Sequence, residues 1–408
     1  MRSIDNPSAP GSAFHSGDVL RVEQDVPIRL SYPVYFVEDL FEKHFAHLDV
    51  MLEGTVERPR EVLFVIDAGV LRHHPHLPET LARRANEARG TWHLAGSPLV
   101  VPGGERSKND PDLVNRILDR IHERGVDRHS YVVAIGGGAV LDLAGYAAAV
   151  AHRGIRLIRV PTTVLAQNDS GVGVKNGVNA YGKKNFVGTF APPFAVFNDF
   201  RLLETLDDRD WRAGTSEAVK VALIKDPAFF DFLEESAARI AARDSDAMRR
   251  LIVRCAELHL DHIRKGGDPF EQGSSRPLDF GHWSAHKLEQ LSDYEIRHGE
   301  AVAIGIALDC TYAHLAGILP EEPWQRVLNV LETLGFDLYA AELSAGIDDG
   351  EAAVFAGLEE FREHLGGELT ILLIEDVGRP IEVHRVDLPR YRDAIAYLQE
   401  RARTSVGA

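Results

Sequence analysis

The stretch Tyr131-Val-Val-Ala-Ile-Gly-Gly-Gly-Ala-Val-Leu-Asp-Leu-Ala-Gly145 sets the fold class. Tyr131 to Ile135 is an unbroken apolar run of strand length, the pattern of a parallel strand covered on both faces. Gly136-Gly-Gly138 ends it, and Ala139 to Ala151 continues as a helix of small residues. Glycine between a strand and a helix lets backbone approach a phosphate, and the helix start adds N–H donors and positive potential. The spacing is not the G-x-G-x-x-G fingerprint, so a plain tight turn is the competing reading. Asp142 lies one turn into the helix, where the dipole favours an acid and a ligand hydroxyl is within reach.

The same design recurs on both sides. Upstream, Val62 to Ile66 is a buried strand ending at Asp67, and Leu99 to Pro102 is a short strand followed by Gly103-Gly-Glu-Arg-Ser-Lys108. Downstream, Arg156 to Val160 is a strand stopped by Pro161-Thr-Thr163. Val26 to Val37 is β-like, with Pro33 favouring an edge or a bend. Helical patterns at Phe41 to Leu52, His76 to Ala88 and Asp112 to Arg124 alternate with these strands. That alternation predicts an α/β N-terminal domain with a parallel, Rossmann-like sheet. Two glycine turns at adjacent strand ends argue for a nucleotide better than either alone. Asp67 is a candidate for a ribose hydroxyl, or simply a polar strand terminus.

After Asp169 the texture changes. Gly173 to Phe190 is rich in Gly, Lys and Asn and fits a hairpin or a functional loop. From Leu203 onward the pattern is helical: Trp211 to Ile224, Pro227 to Ala242, Ala247 to His262, His282 to Gln290, Gly299 to Ala316, Trp324 to Leu334 and Asp349 to Glu363. Asp226 is the expected cap of the second of these, with Pro227 in its first turn. One late strand, Leu369 to Ile374, precedes a final helix near Arg390 to Arg401. The expected division is a disordered arm over 1–25, a nucleotide-binding α/β domain over 26–202 and a mainly α-helical domain over 203–408. No internal repeat is present.

The totals narrow the function. The 408 residues are 45% hydrophobic and 26% charged, as in a soluble globular chain with ample core. A formal net charge of -17 repels nucleic acid and anionic membrane, so an anionic substrate needs a local cluster of cations. Cys255 and Cys310 lie in apolar helical patterns and read as buried thiols of a reducing compartment. No run reaches membrane-span length, and Met1 to Gly17 lacks an apolar signal core, so the expected location is cytoplasmic.

Against that acidic background Arg153, Lys175, Lys183, Lys184 and Lys220 stand out. Lys175 and Lys184 flank a glycine-rich turn, and Asn179 and Asn185 add neutral donors. Such a group could hold a phosphorylated or polyhydroxylated substrate; solvated lysines on a loop are the alternative. Glu217 and Lys220, three apart on a helix, could face one cleft or form a surface ion pair of little worth. His282 and His286 are four apart and share a helix face, with His298 shortly after. This density suggests a metal held between two helices, although surface helix histidines fit the spacing equally.

Taken together, the segments resemble a known family. Pro102-Gly-Gly-Glu105 with Lys108, Gly136-Gly-Gly138 with Asp142-Leu-Ala-Gly145, Arg153-Gly154, Pro161-Thr-Thr163, Asp169-Ser170, Lys175-Asn-Gly-Val-Asn179, Gly182-Lys-Lys-Asn185, Arg212-Ala-Gly214 with Glu217 and Lys220, Gly281-His282 with His286, and His298-Gly-Glu300 resemble the sugar phosphate cyclases, of which 3-dehydroquinate synthase is the best known. The likeness runs in order from Asp67 to Glu300, with a weaker tail to Gly378. It implies a dehydroquinate synthase-like fold and one NAD and Zn2+ site between two domains, with Co2+ as an acceptable substitute, in a homodimer. Position by position it implies Glu217, His282 and His298 as metal ligands. Asp67, Glu105, Lys108, Gly137, Asp142, Thr162, Thr163 and Leu165 match NAD contacts, with Gly136, Gly138 and Lys184 beside them. Arg153, Asp169, Lys175, Lys184, Asn185, Lys220 and His286 match substrate positions.

Departures from the pattern bear on the substrate. 3-Dehydroquinate synthase grips a carboxylate with additional cations; here His259 follows Glu257-Leu258 where it has a Lys. Ser275 stands where it has an Arg, with Arg276 one place off, and Asp279 replaces an Asn. Its late Asp-Lys-Lys gives way to Phe361-Arg-Glu-His-Leu-Gly-Gly367. An Asp repels a carboxylate but accepts hydrogen bonds from hydroxyls, which predicts an uncharged polyol head. Pro277-Leu-Asp-Phe-Gly-His282 and the late segment look like the cyclases that use sedoheptulose 7-phosphate to make valiolone-type cyclitols. Gly281-His-Trp-Ser-Ala-His286 and Phe190-Ala-Pro-Pro193 look most like the 2-epi-valiolone branch, beside the 2-epi-5-epi-valiolone synthases. The implied course is transient oxidation at C5 by NAD+, loss of phosphate from C7, return of the hydride, ring opening and an intramolecular aldol closure. A metal-dependent polyol dehydrogenase sharing the domain plan is the other class to weigh; it would show net NADH formation.

Overall fold

The computed structural model describes residues 14–16, 19–27, 29–265, 277–346, 352–364, 367 and 369–406. The chain falls into two compact units, Met1–Ser31 and Tyr32–Ala408. In the first, β1 (Phe14–Ser16) and β2 (Val19–Arg21) pair antiparallel, so the arm expected to be structureless carries a short hairpin among its described residues. Residues 1–13, 17 and 18 of that arm lie outside them.

The second unit opens with an α/β portion made of β3 (Val34–Val37), α1 (Phe45–Leu52), β4 (Arg60–Asp67), α2 (Ala68–His73), α3 (Leu77–Glu87), β5 (Trp92–Leu94) and β6 (Leu99–Val101). It continues with α4 (Arg106–Asn109), α5 (Pro111–Glu123), β7 (Tyr131–Gly136), α6 (Gly138–Val150), β8 (Arg156–Pro161), the hairpin β9 (Lys175–Ala180) and β10 (Lys183–Phe190), and β11 (Ala195–Asp199). Seven strands form one sheet in the order β3-β11-β8-β7-β4-β5, with β6 also on β4, and every pairing is parallel. Alternate side chains leave opposite faces. Leu63, Val65, Val132 and Ala134 pack with α5 and α6, while Phe64, Ile66, Val133 and Ile135 pack with α1 and α3. The continuous apolar runs read from the sequence are therefore strands covered on both faces.

Direction reverses between β4 and β7. From β4 the chain goes outward to β5 and β6, then returns to β7 on the other side and proceeds to β8 and β11. Ligands of such sheets bind in the crevice outside the strand ends at this point. Asp67 and Gly136 both end strands there.

Beyond β11 the chain is mainly helical: α7 (Asp208–Ala213), α8 (Thr215–Lys225), α9 (Pro227–Ala241), α10 (Ser245–Lys265), α11 (His282–Leu291), α12 (His298–Leu315), α13 (Glu321–Thr333), α14 (Ala356–His364) and α15 (Leu388–Val406). These helices enclose a second large core with the antiparallel pair β12 (Ile371–Asp376) and β13 (Arg379–Val383). Cys255 and Cys310 are buried and free, as expected. The single helix expected over Trp211 to Ile224 is divided at Gly214, where a Cβ would lie 2.3 Å from the Leu165 amide nitrogen and only glycine fits the close approach. Similarly, a Cβ on Gly299 would sit 1.9 Å from the Ala213 carbonyl, so glycine allows α12 to start against α7. The strands β5, β11 and β13 were not expected. Ala191-Pro-Pro-Phe194 and Asn198-Asp199 give β11 the composition of a turn, and its neighbours β8 and β3 impose the extended form.

Two buried charged groups hold this framework. Arg159 on β8 is fully buried. Its guanidinium donates to the carbonyls of Gly171 (3.1 Å), Gly173 (2.9 Å) and Lys175 (2.7 Å) and to Asn176 Oδ1 (2.7 Å). It thereby strings the segment from β8 to the hairpin along the sheet. Asp309 on α12 accepts from Trp283 Nε1 and Tyr391 OH, both at 2.9 Å, tying α11 and α15 to α12. Burial pushes its carboxyl up to about 7, against the pull of those two donors.

Replacing Arg159 by Met leaves four acceptors without their donor and is expected to cost about 3 kcal/mol or more in denaturant unfolding. Asp309 binds its proton more tightly folded than unfolded, so it lowers stability as pH rises from about 4 to about 7. Relative to Asp309→Asn, the wild type is expected to lose up to about 4 kcal/mol across that window and to stay lower above it. Unfolding curves at pH 5 and pH 8 measure this difference.

Candidate active site

Three side chains converge where α8, α11 and α12 meet. Glu217 on α8 is 1% exposed. His282 Nε2 lies 3.6 Å and His298 Nε2 3.4 Å from Glu217 Oε1. Their ligand atoms fall within 4.8 Å of one another, a set that could hold a metal ion. The tautomers are set from behind: His282 Nδ1 faces the Phe280 carbonyl at 3.1 Å, and His298 Nδ1 faces Glu289 Oε2 at 3.0 Å. With Nδ1 carrying the proton, both Nε2 lone pairs point at the shared space. Among the described residues, neither oxygen of Glu217 has a hydrogen-bond partner of good geometry, although Lys220 Nζ makes a close ion pair with Oε2. A buried carboxylate with spare lone pairs between two inward-facing imidazoles is the donor set of a catalytic zinc, with positions left for substrate oxygens. The residues present fit such an ion.

Charges around this point are strongly coupled. Burial pushes the Glu217 carboxyl up, but Lys220 and then the histidines hold it well below the usual range. Burial and the Lys220 charge pull His282 down to about 3. His298 goes the other way, to about 9: burial lowers it, and Glu289 and Glu217 more than offset that.

Several expected substrate residues border the same space. Lys220, 3% exposed, is held charged against burial by Glu217, Asp169 and Asp279. Asp169, on the turn after β8, lies 2.9 Å from His259 Nδ1 of α10. His286 presents its ring 5.4 Å from His282 and 5.9 Å from His298. Lys184 Nζ reaches across from the hairpin to Glu289 Oε1 at 2.7 Å. Arg153 is different: it is exposed beyond the far end of α6, roughly 20 Å of helix from the glycine turn, and does not join the cluster within this chain. Ser275 and Arg276 lie outside the described residues, as do Leu365 and Gly366 of the late segment.

The expected nucleotide residues gather at the reversal of the sheet. A Cβ on Gly103 would sit 2.5 Å from Asp67 Oδ2, and one on Gly138 would sit 2.6 Å from Ser170 Oγ. Asp67 caps α2 through the Gly69 amide (2.7 Å), and burial raises its pKa. Gly137 begins α6, with Thr163 against it, and the Thr162 amide donates to the Gly136 carbonyl at 3.0 Å. Leu165 lies at the closest approach of Gly214. Lys108 Nζ donates to Asp142 Oδ2 at 2.8 Å and also contacts Asn185 Oδ1. Asn179 Nδ2 donates to Glu105 Oε1 at 2.7 Å, and Asn179 Oδ1 accepts from the Asn185 amide at 2.8 Å. Lys175 opens β9 with its carbonyl held by Arg159. The hairpin therefore binds the glycine-rich side to the metal-ligand side. The glycine turn that ends β7, with Asp67 at the end of β4 beside it, is the arrangement that suits a dinucleotide.

Sequence patterning did not single out Glu289. It is 4% exposed, three residues after His286 and seven after His282, on one face of α11. That i, i+4, i+7 stripe was legible in the sequence, but a carboxylate beyond two histidines carries no signal until His298 is seen against it.

Comparisons with known proteins agree with this geometry. Residues 98–213 match the 3-dehydroquinate synthase N-terminal family model, and residues 214–348 match the C-terminal one. The 3-dehydroquinate synthase of Cereibacter sphaeroides is 38% identical over 288 residues, 70% of this chain and 76% of that protein. That of Paracoccus denitrificans is 35% identical over 341 residues, 83% of this chain and 89% of that protein. Among solved structures, the 2-epi-5-epi-valiolone synthase ValA of Streptomyces hygroscopicus, with NAD+ and Zn2+ bound, is 30% identical with a TM-score of 0.81, covering 93% of this chain and 99% of that one. A 2-deoxy-scyllo-inosose synthase with carbaglucose-6-phosphate, NAD+ and Co2+ is 26% identical with a TM-score of 0.70, covering 89% and 95%. With both halves of the fold matched and a relative this similar over most of its length, the chain belongs to the 3-dehydroquinate synthase family and is an enzyme of the sugar phosphate cyclase superfamily.

Proposed function

We propose that this enzyme uses NAD and zinc to cyclise sedoheptulose 7-phosphate to a 2-epi-valiolone-type C7 cyclitol with release of inorganic phosphate. The observation that carries the substrate reading is the charge at the inner end of the site. Asp169, Glu217 and Asp279 act on the buried ammonium of Lys220, and His259 is engaged by Asp169. A substrate carboxylate placed beside Asp169 and Asp279 meets two like charges, whereas polyol hydroxyls can donate to those oxygens. The identity of 35% and 38% to curated 3-dehydroquinate synthases favours the carboxylated heptulosonate as the second reading.

Glu217, His282 and His298 are the proposed metal ligands, and the crevice formed by Asp67, Glu105, Lys108, Gly136, Gly137, Gly138, Asp142, Thr162, Thr163 and Leu165 is the proposed NAD site. When bound, NAD+ supplies a reversible hydride acceptor and zinc acidifies a coordinated hydroxyl. The chain's own groups do the rest. Lys175, Lys184 and Asn185 on the hairpin hold the phosphate by charge and hydrogen bonds. Asp169 and Asp279 orient substrate hydroxyls, and Lys220 keeps Glu217 ionised. His286, beside both ligand imidazoles and near the hairpin lysine, relays a proton at the departing phosphate. All of this is positioning and electrostatics at one site.

Incubation with sedoheptulose 7-phosphate and NAD+ is expected to release phosphate with no net NADH, and the product NMR spectrum identifies the ring. Preferential turnover of the carboxylated heptulosonate would sink the substrate reading, and net NADH from a diol would point to a dehydrogenase. Glu217→Gln and His298→Ala are each expected to abolish stoichiometric zinc and to lower phosphate release by about 100-fold or more. Full zinc content in either variant refutes the ligand assignment.

A further inference from the structure

Glu289 has no role in the proposed reaction, yet it is the best-connected carboxylate near the site. It lies two helical turns beyond His282 on α11 and is buried, and each of its oxygens has a partner. Oε1 accepts from Lys184 Nζ at 2.7 Å, and Oε2 accepts from His298 Nδ1 at 3.0 Å. The two ligand imidazoles differ in what fixes them. His282 is oriented by a backbone carbonyl two residues earlier, in the turn that starts its own helix. His298 is the first residue of α12, and its Nδ1 is met by a side chain from another helix. The ring of His298 can rotate unless that side chain is present.

We propose that Glu289 is the positioning residue of the metal centre. It accepts the Nδ1 proton of His298, turns Nε2 toward Glu217, and is itself held in place by Lys184 of the hairpin. This rests on the reading of Glu217, His282 and His298 as metal ligands. A carboxylate behind an imidazole ligand fixes its tautomer and raises its basicity, and such partners matter to affinity nearly as much as ligands do. His286, Glu289 and His298 also cluster closely enough to be considered as ligands of a metal themselves. The engagement of both Glu289 oxygens argues against it. So does His298, whose ring cannot give Nδ1 to one ion and Nε2 to another without losing both protons.

Lys184 gives the arrangement a further consequence. The same lysine is proposed to hold the substrate phosphate, so the hairpin cation and the metal ligand are joined through a single carboxylate. The phosphate end and the metal end of one substrate are thus set relative to each other by Glu289, across the cleft between the hairpin and α12.

The test uses full-length protein stripped of metal: wild type, Glu289→Gln and Glu289→Ala. Zn2+ affinity is measured by competition with a chromophoric chelator, and the visible spectrum is recorded after loading with Co2+. Glu289→Ala is expected to bind Zn2+ about 10–100-fold more weakly and to shift the Co2+ bands. Glu289→Gln is expected to fall between, since its amide oxygen still accepts from Nδ1 but carries no charge. A merely structural role would lower the melting temperature of the metal-free variants and leave Zn2+ affinity and the Co2+ spectrum unchanged, which overturns the proposal. Should Glu289→Ala fail to fold, the near-isosteric Glu289→Gln decides: affinity within about twofold of wild type overturns it. A wild type that takes up no stoichiometric zinc overturns the metal reading and this inference with it. Zinc held equally by all three overturns this inference alone.

Discussion

A carboxylate removed from water must be compensated, and Glu217 is removed almost completely. The neighbouring elements supply that compensation. Lys220 one turn on, His282 from α11 and His298 from α12 all bring positive or proton-sharing groups to it. Each comes from a different direction, so the three helices can meet only in one arrangement. The glycine at 299 is the steric side of the same constraint, because it lets α12 start in contact with the segment before α8. The charges left imperfectly satisfied here are what an enzyme uses: stability would be served by an apolar cluster, and the sequence keeps ions.

A second constraint links this centre to the sheet. The crevice at the reversal between β4 and β7 and the centre on the helices belong to different layers, and the segment from β8 through the hairpin spans them. Arg159 holds that segment largely by carbonyl oxygens, so its path depends on backbone positions and tolerates varied side chains. The hairpin then contacts both sides, through Asn179 to Glu105, Asn185 to Lys108 and Lys184 to Glu289. Reactions that oxidise, eliminate and reduce at one bound sugar need hydride acceptor, metal and phosphate sites in fixed register. In the proposed reaction the hairpin, through those contacts, is the element that sets them.

Solved relatives named for different products share this framework, and in the proposed function the side chains that bear on the substrate lie around Lys220. Asp169, Asp279 and His259 face that end in this chain. In the proposed reading, the two carboxylates suit a neutral, hydroxyl-rich head better than a carboxylate.

Local pattern by itself determined the parallel sheet, the glycine turn and the helical second half. Apolar runs of strand length and helical spacing are short-range signals that each segment carries alone. His282, His286 and His298 were legible as a possible metal-binding group because ligand chemistry restricts residue type, whereas Glu217 entered the proposed ligand set only through the family resemblance. β11 was not legible, since its extended form comes from two neighbouring strands distant in sequence. Nor was the division at Gly214 or the close approach of Leu165 to it. Arg153 and Glu289 show the same limit in opposite senses. Arg153 matched a site position by motif and does not join the cluster within this chain, while Glu289 was not singled out and is buried between Lys184 and His298. Residue type and spacing select which groups could act, but whether they meet depends on long-range packing, which no local stretch encodes.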